Sequence, residues 1–189
     1  MPIMKNGTHG PMPYTEARHL LNPLRTLIQS PKKLIKLLDL KPDSTVLELG
    51  PGAGYFSPEL ARAVPEGKLV LVDVQQEMLD MARERLQGGG FENVEYYRGD
   101  AASLPVESES FDAVFLSMVL GEVPNREACL KEIRRVLRPD GLLSVTEMMD
   151  DPDFIPMPEM LRSIEAAGFE LSAKHGGRFY YTVNARRSA

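Results

Sequence analysis

A short apolar stretch runs into glycine at every second position: Val46-Leu47-Glu48-Leu49-Gly50-Pro51-Gly52-Ala53-Gly54. Glycine accepts positive φ and lets a ligand lie directly against the main chain, so Gly50, Gly52 and Gly54 can hold a ribose and an amino-acid tail. The dinucleotide pattern G-x-G-x-x-G needs its third glycine at 55, where this chain has Tyr55. Pro51 also removes one N–H, a disadvantage for cradling phosphate and none for a phosphate-free ligand. The loop therefore suits a nucleoside without a pyrophosphate. Glu48 can meet a positively charged part of that ligand, directly or through water.

More such groups follow later apolar runs. Asp73, 23 positions beyond Gly50, is placed to accept both hydroxyls of a ribose. Val74 can then pack on the face of a base. Asp100 can accept from an exocyclic amine while the Ala101 N–H donates to a ring nitrogen, and Ser117 closes the fourth run. Singly, each carboxylate reads equally well as a turn or cap residue. Three in order at successive strand ends favour a ligand.

The elements that must position these groups alternate strand and helix, the pattern of βαβ units and a parallel sheet. Strands are expected at 45–49, 68–73, 94–98, 111–117 and 141–147. The run Phe111, Ala113-Val114-Phe115-Leu116 suits a central strand covered on both faces. Ser57-Pro58 reads as a helix N-cap and first position. Met78, Leu79, Ala82 and Leu86 form the apolar stripe of the next helix, which Gly88-Gly89-Gly90 stops. Asn125 caps a third, with Cys129, Leu130, Ile133, Val136 and Leu137 buried. Near the start, Asn22-Pro23 and Ser30-Pro31 open two short helices, carrying Leu24, Leu27 and Ile28, then Leu34, Ile35, Leu37 and Leu38. A last helix over 158–167 is followed by strands at 169–174 and 178–183, with Gly176-Gly177 as their hairpin turn.

The 189 residues suit one domain with a sizeable core. At 43% apolar and 26% charged residues, composition is that of a globular protein, and no run is long enough to span a bilayer. A start without an apolar leader and a single cysteine, Cys129, lead to a cytoplasmic expectation. The net charge of -5 argues against a nucleic-acid binder. Seven Lys/Arg against three Asp/Glu in residues 1–45 make that end +4 and leave -9 for the rest. The basic end reads as a solvated helix face, with contact to an anionic substrate or surface as the alternative.

The glycine loop, together with Leu71-Val72-Asp73-Val74, Gly99-Asp100-Ala101, Phe111-Asp112-Ala113-Val114 and Leu137-Arg138-Pro139-Asp140-Gly141-Leu142-Leu143, resembles class I S-adenosylmethionine-dependent methyltransferases. The likeness is greatest to their small type 11 branch, which includes ubiquinone and menaquinone C-methyltransferases, and it covers about residues 40–147. It implies an α/β fold: a Rossmann-like three-layer sandwich with a mostly parallel seven-stranded sheet whose last strand is antiparallel. An N-terminal helical arm, residues 1–40, is expected to cover the active site of a methyltransferase domain over 41–189. The resemblance implies that the glycine loop, Asp73, Asp100 and the Ser117 region hold the cofactor. Where the quinone enzymes have a Leu-His-His-Val-like turn after the fourth strand, this chain has Leu120-Gly121-Glu122-Val123. The quinone is therefore not carried over. Asp151-Pro152-Asp153-Phe154 is only faintly similar to the tetrad of nucleic-acid amino-methyltransferases and follows the wrong strand, so it is read as a decoy.

Methyl transfer from a sulfonium needs alignment above all, and a base is optional. Glu122, just beyond the fourth strand, is the catalytic candidate; His19 and Tyr14 in the arm are weaker ones, and His175 reads as structural. Met118, Met148, Met149 and Met157, with Phe154, are expected to form a flexible wall for an apolar or planar small-molecule substrate. No metal is expected. Two other readings are a nicotinamide-dependent oxidoreductase, which lacks its third fingerprint glycine and a Tyr-x-x-x-Lys pair, and a non-catalytic S-adenosylmethionine-binding or regulatory partner.

Overall fold

A computed structural model describes residues 11–15 and 29–188. Its elements are α1 (Pro31–Lys36), β1 (Thr45–Leu49), α2 (Ser57–Ala63), β2 (Lys68–Asp73), α3 (Gln76–Gly88), β3 (Val94–Arg98), β4 (Phe111–Ser117), α4 (Arg126–Val136), β5 (Leu137–Met148), α5 (Met157–Ala166), β6 (Phe169–Gly176) and β7 (Tyr180–Arg187). The expected helix at Asn22-Pro23, with Leu24, Leu27 and Ile28, and the candidate His19 lie outside the described residues.

The seven strands form one sheet in the order β3-β2-β1-β4-β5-β7-β6. Neighbours from β3 through β5 are parallel, and β7 runs against both β5 and β6. Strand alternation sends successive side chains to opposite layers. Leu47, Leu49, Val114, Leu116, Leu143 and Val145 pack with Leu130, Ile133, Met160 and Ile164 of α4 and α5. Val46, Leu69, Leu71, Ala113 and Phe115 pack with Leu34, Ile35, Leu60, Leu79 and Leu86 of α1, α2 and α3. Helix α1 is further tied to the sheet by Asn184 Nδ2, which donates to the Leu37 carbonyl at 2.7 Å.

Local expectations hold at two caps. Asn125 accepts from the Ala128 N–H at 3.0 Å, and α3 ends at Gly88, with Gly90 at φ 75°. Three differ. Ser57 is inside α2 with Phe56 at the cap position, because its hydroxyl donates to Glu48 Oε2 at 2.6 Å instead. Strand β5 begins at Leu137, not Gly141: α4 stops at Val136, Leu137 turns extended and pairs with Phe111, and the ladder resumes at Ala113 with Leu142 after a bulge containing Asp140 at φ 61°. The β6–β7 hairpin tip is Arg178-Phe179, since Gly176 opposes Tyr181 and the Gly177 N–H donates to the Tyr180 carbonyl at 2.8 Å. Gly176, at φ 86°, supplies the close backbone approach beside the tip.

Among the described residues no helix is long and apolar enough to cross a membrane. Nor, among them, does any group of three or more His, Cys, Asp or Glu side chains have the arrangement to hold a metal ion.

Candidate functional site

After β3 the chain returns to the other side of β1, so the strand order reverses between β1 and β4. Ligand sites in such sheets form beyond the carboxyl ends of the strands at that point. A cavity of about 280 Å³ opens there. It is lined by Glu48, Gly50 and Gly52 after β1, Asp73 and Val74 after β2, Asp100 and Ala101 after β3, and Ser117 and Glu122 after β4. Gly54 is the exception among the expected site residues. At φ 76° it faces α3, and a Cβ there would stand 3.1 Å from Ala82 Cα, so its missing side chain admits a helix rather than a ligand.

Each group is held by local bonds. Asp73, 8% exposed, accepts from the Gln75 N–H at 3.0 Å through Oδ1 and from the Gly52 N–H at 3.4 Å through Oδ2. Asp100 spends Oδ1 on the Ala102 N–H at 2.8 Å, and its residue is exposed. Gly50 sits at φ 66°, and a Cβ there would lie 2.5 Å from Val119 Cγ2, so glycine lets the first loop pack against the fourth strand's exit. Ser117 Oγ is buried with no hydrogen-bond partner. Val74 leaves an apolar side chain 44% exposed at the rim.

Glu48 shares the face of Val46 and is covered by α2, which is why Ser57 reaches it. Burial pushes its carboxyl from 4.5 up to about 8, against the hydrogen bond from Ser57. Burial also raises Asp73, partly offset by backbone N–H bonds. Glu122 rises to about 7, first by burial, then by the neighbouring Asp151, with the Met12 N–H acting the other way. Glu147, 1% exposed, rises to about 8 for the same leading reason, and its Oε1 has no partner.

The methionine wall does not form. Met118 lines the cavity, joined by Met12 and Met78. Met149 is 48% exposed where its N–H pairs with the Phe179 carbonyl at 2.8 Å, and Met157 and Phe154 pack on the opposite layer with α5. Tyr14 is 47% exposed and does not line the cavity, and His175 lies exposed on β6. Asp151, read as part of a decoy, does line it. The loop comes in because Gly121 has no side chain: a Cβ there would collide with the Asp153 carbonyl.

Several lining residues escaped sequence reasoning. Tyr55 had a signal, standing where a fingerprint glycine would be. Its hydroxyl donates to the Gln29 carbonyl at 3.0 Å, and its ring meets Phe56 edge-on at 4.8 Å. Gln75, two residues after Asp73, could have been found by position. Pro11 and Met12 carried no signal at all.

The model of the methyltransferase domain family matches residues 47–145. The chain belongs to that family. This methyltransferase domain is 37% identical over 118 residues to the demethylmenaquinone methyltransferase of Lactobacillus johnsonii, covering 61% of this chain and 48% of that protein. It is 36% identical over 151 residues to the ubiquinone/menaquinone biosynthesis C-methyltransferase UbiE of Cronobacter sakazakii, covering 75% and 59%. The chain thus spans about half the length of the curated relatives it matches. A crystal structure of an S-adenosylmethionine-dependent methyltransferase from Aquifex aeolicus superposes with a TM-score of 0.84 at 27% identity, covering 93% of this chain and 99% of that one.

Proposed function

We propose that this methyltransferase domain binds S-adenosylmethionine and directs its methyl group to a small-molecule acceptor. The observation that carries the reading is the cavity at the β1/β4 reversal, where groups from four strand ends converge. The donor set fits the molecule. Asp73 is the ribose partner, Val74 an apolar surface for adenine, and Asp100 with the Ala101 N–H the partners for the base edge. Gly50 and Gly52 let the amino-acid tail approach the main chain, Glu48 answers its positive end, and the orphaned Ser117 Oγ gains a partner. Gly54 supports the loop from behind through α3.

The bound sulfonium supplies an already activated methyl. The chain's own residues orient the partners and exclude water, and such orientation is worth roughly 7–11 kcal/mol in well-placed pairs. Glu122 is the residue to accept a proton from an acceptor that must lose one, since a carboxylate held near neutrality suits that task. Oxidoreductase chemistry is disfavoured by Tyr55, a buried ring where a pyrophosphate loop would need glycine.

Calorimetric titration tests the reading. S-adenosylmethionine and S-adenosylhomocysteine are expected to bind while NAD and NADP do not, and the reverse result would overturn it. Labelled-methyl transfer to apolar, planar small molecules, quinols first because the relatives are named for them, tests the acceptor class. Transfer seen only to protein or RNA would reject a small molecule, and Glu122→Gln is expected to lower turnover at least tenfold if a proton must leave. The same reading takes residues 1–40 as the covering arm and 41–189 as the catalytic unit. It takes the protein as cytoplasmic and independent of nucleic acid, supported by a lone buried Cys129 and a net charge of -5.

A further inference from the structure

Pro11 and Met12 line the cavity far from its strand ends in sequence. One side chain holds them there. The Gln75 carboxamide makes a pair of bonds to the segment: Nε2 donates to the Met12 carbonyl at 2.8 Å, and Oε1 accepts from the Tyr14 N–H at 3.3 Å. One side chain thus offers residues i and i+2 the donor and acceptor that an adjoining strand would offer. Opposite, Glu122 lines the same cavity.

The holder stands on a fixed support. The Gln75 N–H is bonded to Asp73 Oδ1 at 3.0 Å, so it is joined to the carboxylate at the end of β2. Asp73 lines the cavity, so the segment is anchored to one of its walls. Both bonds use main-chain atoms of residues 12 and 14, so they depend on the path of the segment and not on its side chains.

We propose that Gln75 is a positioning residue that clasps the segment of Pro11 and Met12 over the cavity as its roof and thereby retains the nucleoside ligand beneath. The inference rests on the cavity being the S-adenosylmethionine site. The clasp lies outside the sheet and both core layers, and Gln75 is half-buried, so its loss should leave the fold intact.

Release of tritiated S-adenosylhomocysteine from the full chain, chased with unlabelled ligand, reads retention. Amide hydrogen exchange across residues 11–15, measured with and without ligand, reads the roof itself. Gln75→Ala is expected to speed release about tenfold and to speed exchange at Met12 and Tyr14, with an unchanged thermal midpoint. Unchanged exchange in Gln75→Ala would overturn the clasp, and faster exchange with unchanged release would overturn retention. Failure of the parent chain to bind S-adenosylhomocysteine would instead reject the cofactor reading, with ligand-free exchange still reporting the clasp.

Discussion

The two halves of the cavity are built differently. On the side of β1, β2 and β3, the groups assigned to the nucleoside are bonded close to their own strands: Asp73 to Gln75, Asp100 to Ala102, and the Gly50 N–H to the Val72 carbonyl at 2.8 Å. On the side of β4 and β5, partners come from far along the chain. Met118, at φ 56°, receives a contact from Gln29 Nε2 at 3.5 Å across 89 residues, and Glu122 meets Met12 and the Asp151–Asp153 loop. The first half can be specified by dipeptides at strand ends. The second can change its acceptor by altering loops without disturbing the donor site.

The broadest way to separate the halves is through pH. Glu48 belongs to the first half and Glu122 and Glu147 lie on the second, and all three hold their protons above the ordinary 4.5 in the folded state, to about 8, 7 and 8. A raised carboxyl favours the fold fully below 4.5, and that contribution is lost as pH rises toward 8, at up to about 1.4 kcal/mol per pH unit for a fully buried group. Urea midpoints should therefore fall from pH 5 to pH 8, and Glu147→Gln should flatten that slope by removing a share owned by the second half. A slope that rises with pH in the parent would contradict the burial assigned to both.

Asp73→Ala should weaken S-adenosylhomocysteine about 100-fold, or about 2.7 kcal/mol, with the urea midpoint preserved. Unchanged affinity in calorimetry would remove the ribose assignment and with it the distinction between halves. Gly50→Ala probes their junction. A left-handed backbone and a clash with Val119 should cost about 2 kcal/mol of stability in urea. Adding Val119→Ala should recover the steric share and leave the backbone share. The smallest effect is expected for Val74→Ala, about fivefold in affinity or about 1 kcal/mol, with stability unmoved because the side chain already faces solvent.

Much of the first half was legible in sequence. Val46 to Leu49 and Leu69 to Val72 are largely apolar runs whose ends are marked by glycine and aspartate, and β1 and β2 end where those marks stand. Less visible was what each mark does. Gly54 reads like Gly50 until α3 is seen against it, and Ser57 reads like a cap until Glu48 is seen beneath it. The methionines read as one wall because they cluster in sequence near two strand ends. Alternation and the pairing of Met149 with Phe179 send them to different surfaces.

By itself the sequence determined the alternation of strand and helix, the two-faced burial of β4, and the residue types at each strand end. These follow from local periodicity and from the backbone freedom of glycine. Only the tertiary structure decided which of those residues share a cavity, which carboxyls are pushed above their ordinary range, and that residues 11 and 12 form part of the wall. Those outcomes depend on desolvation and on contacts between segments dozens of residues apart, and neither leaves a period or a spacing to read.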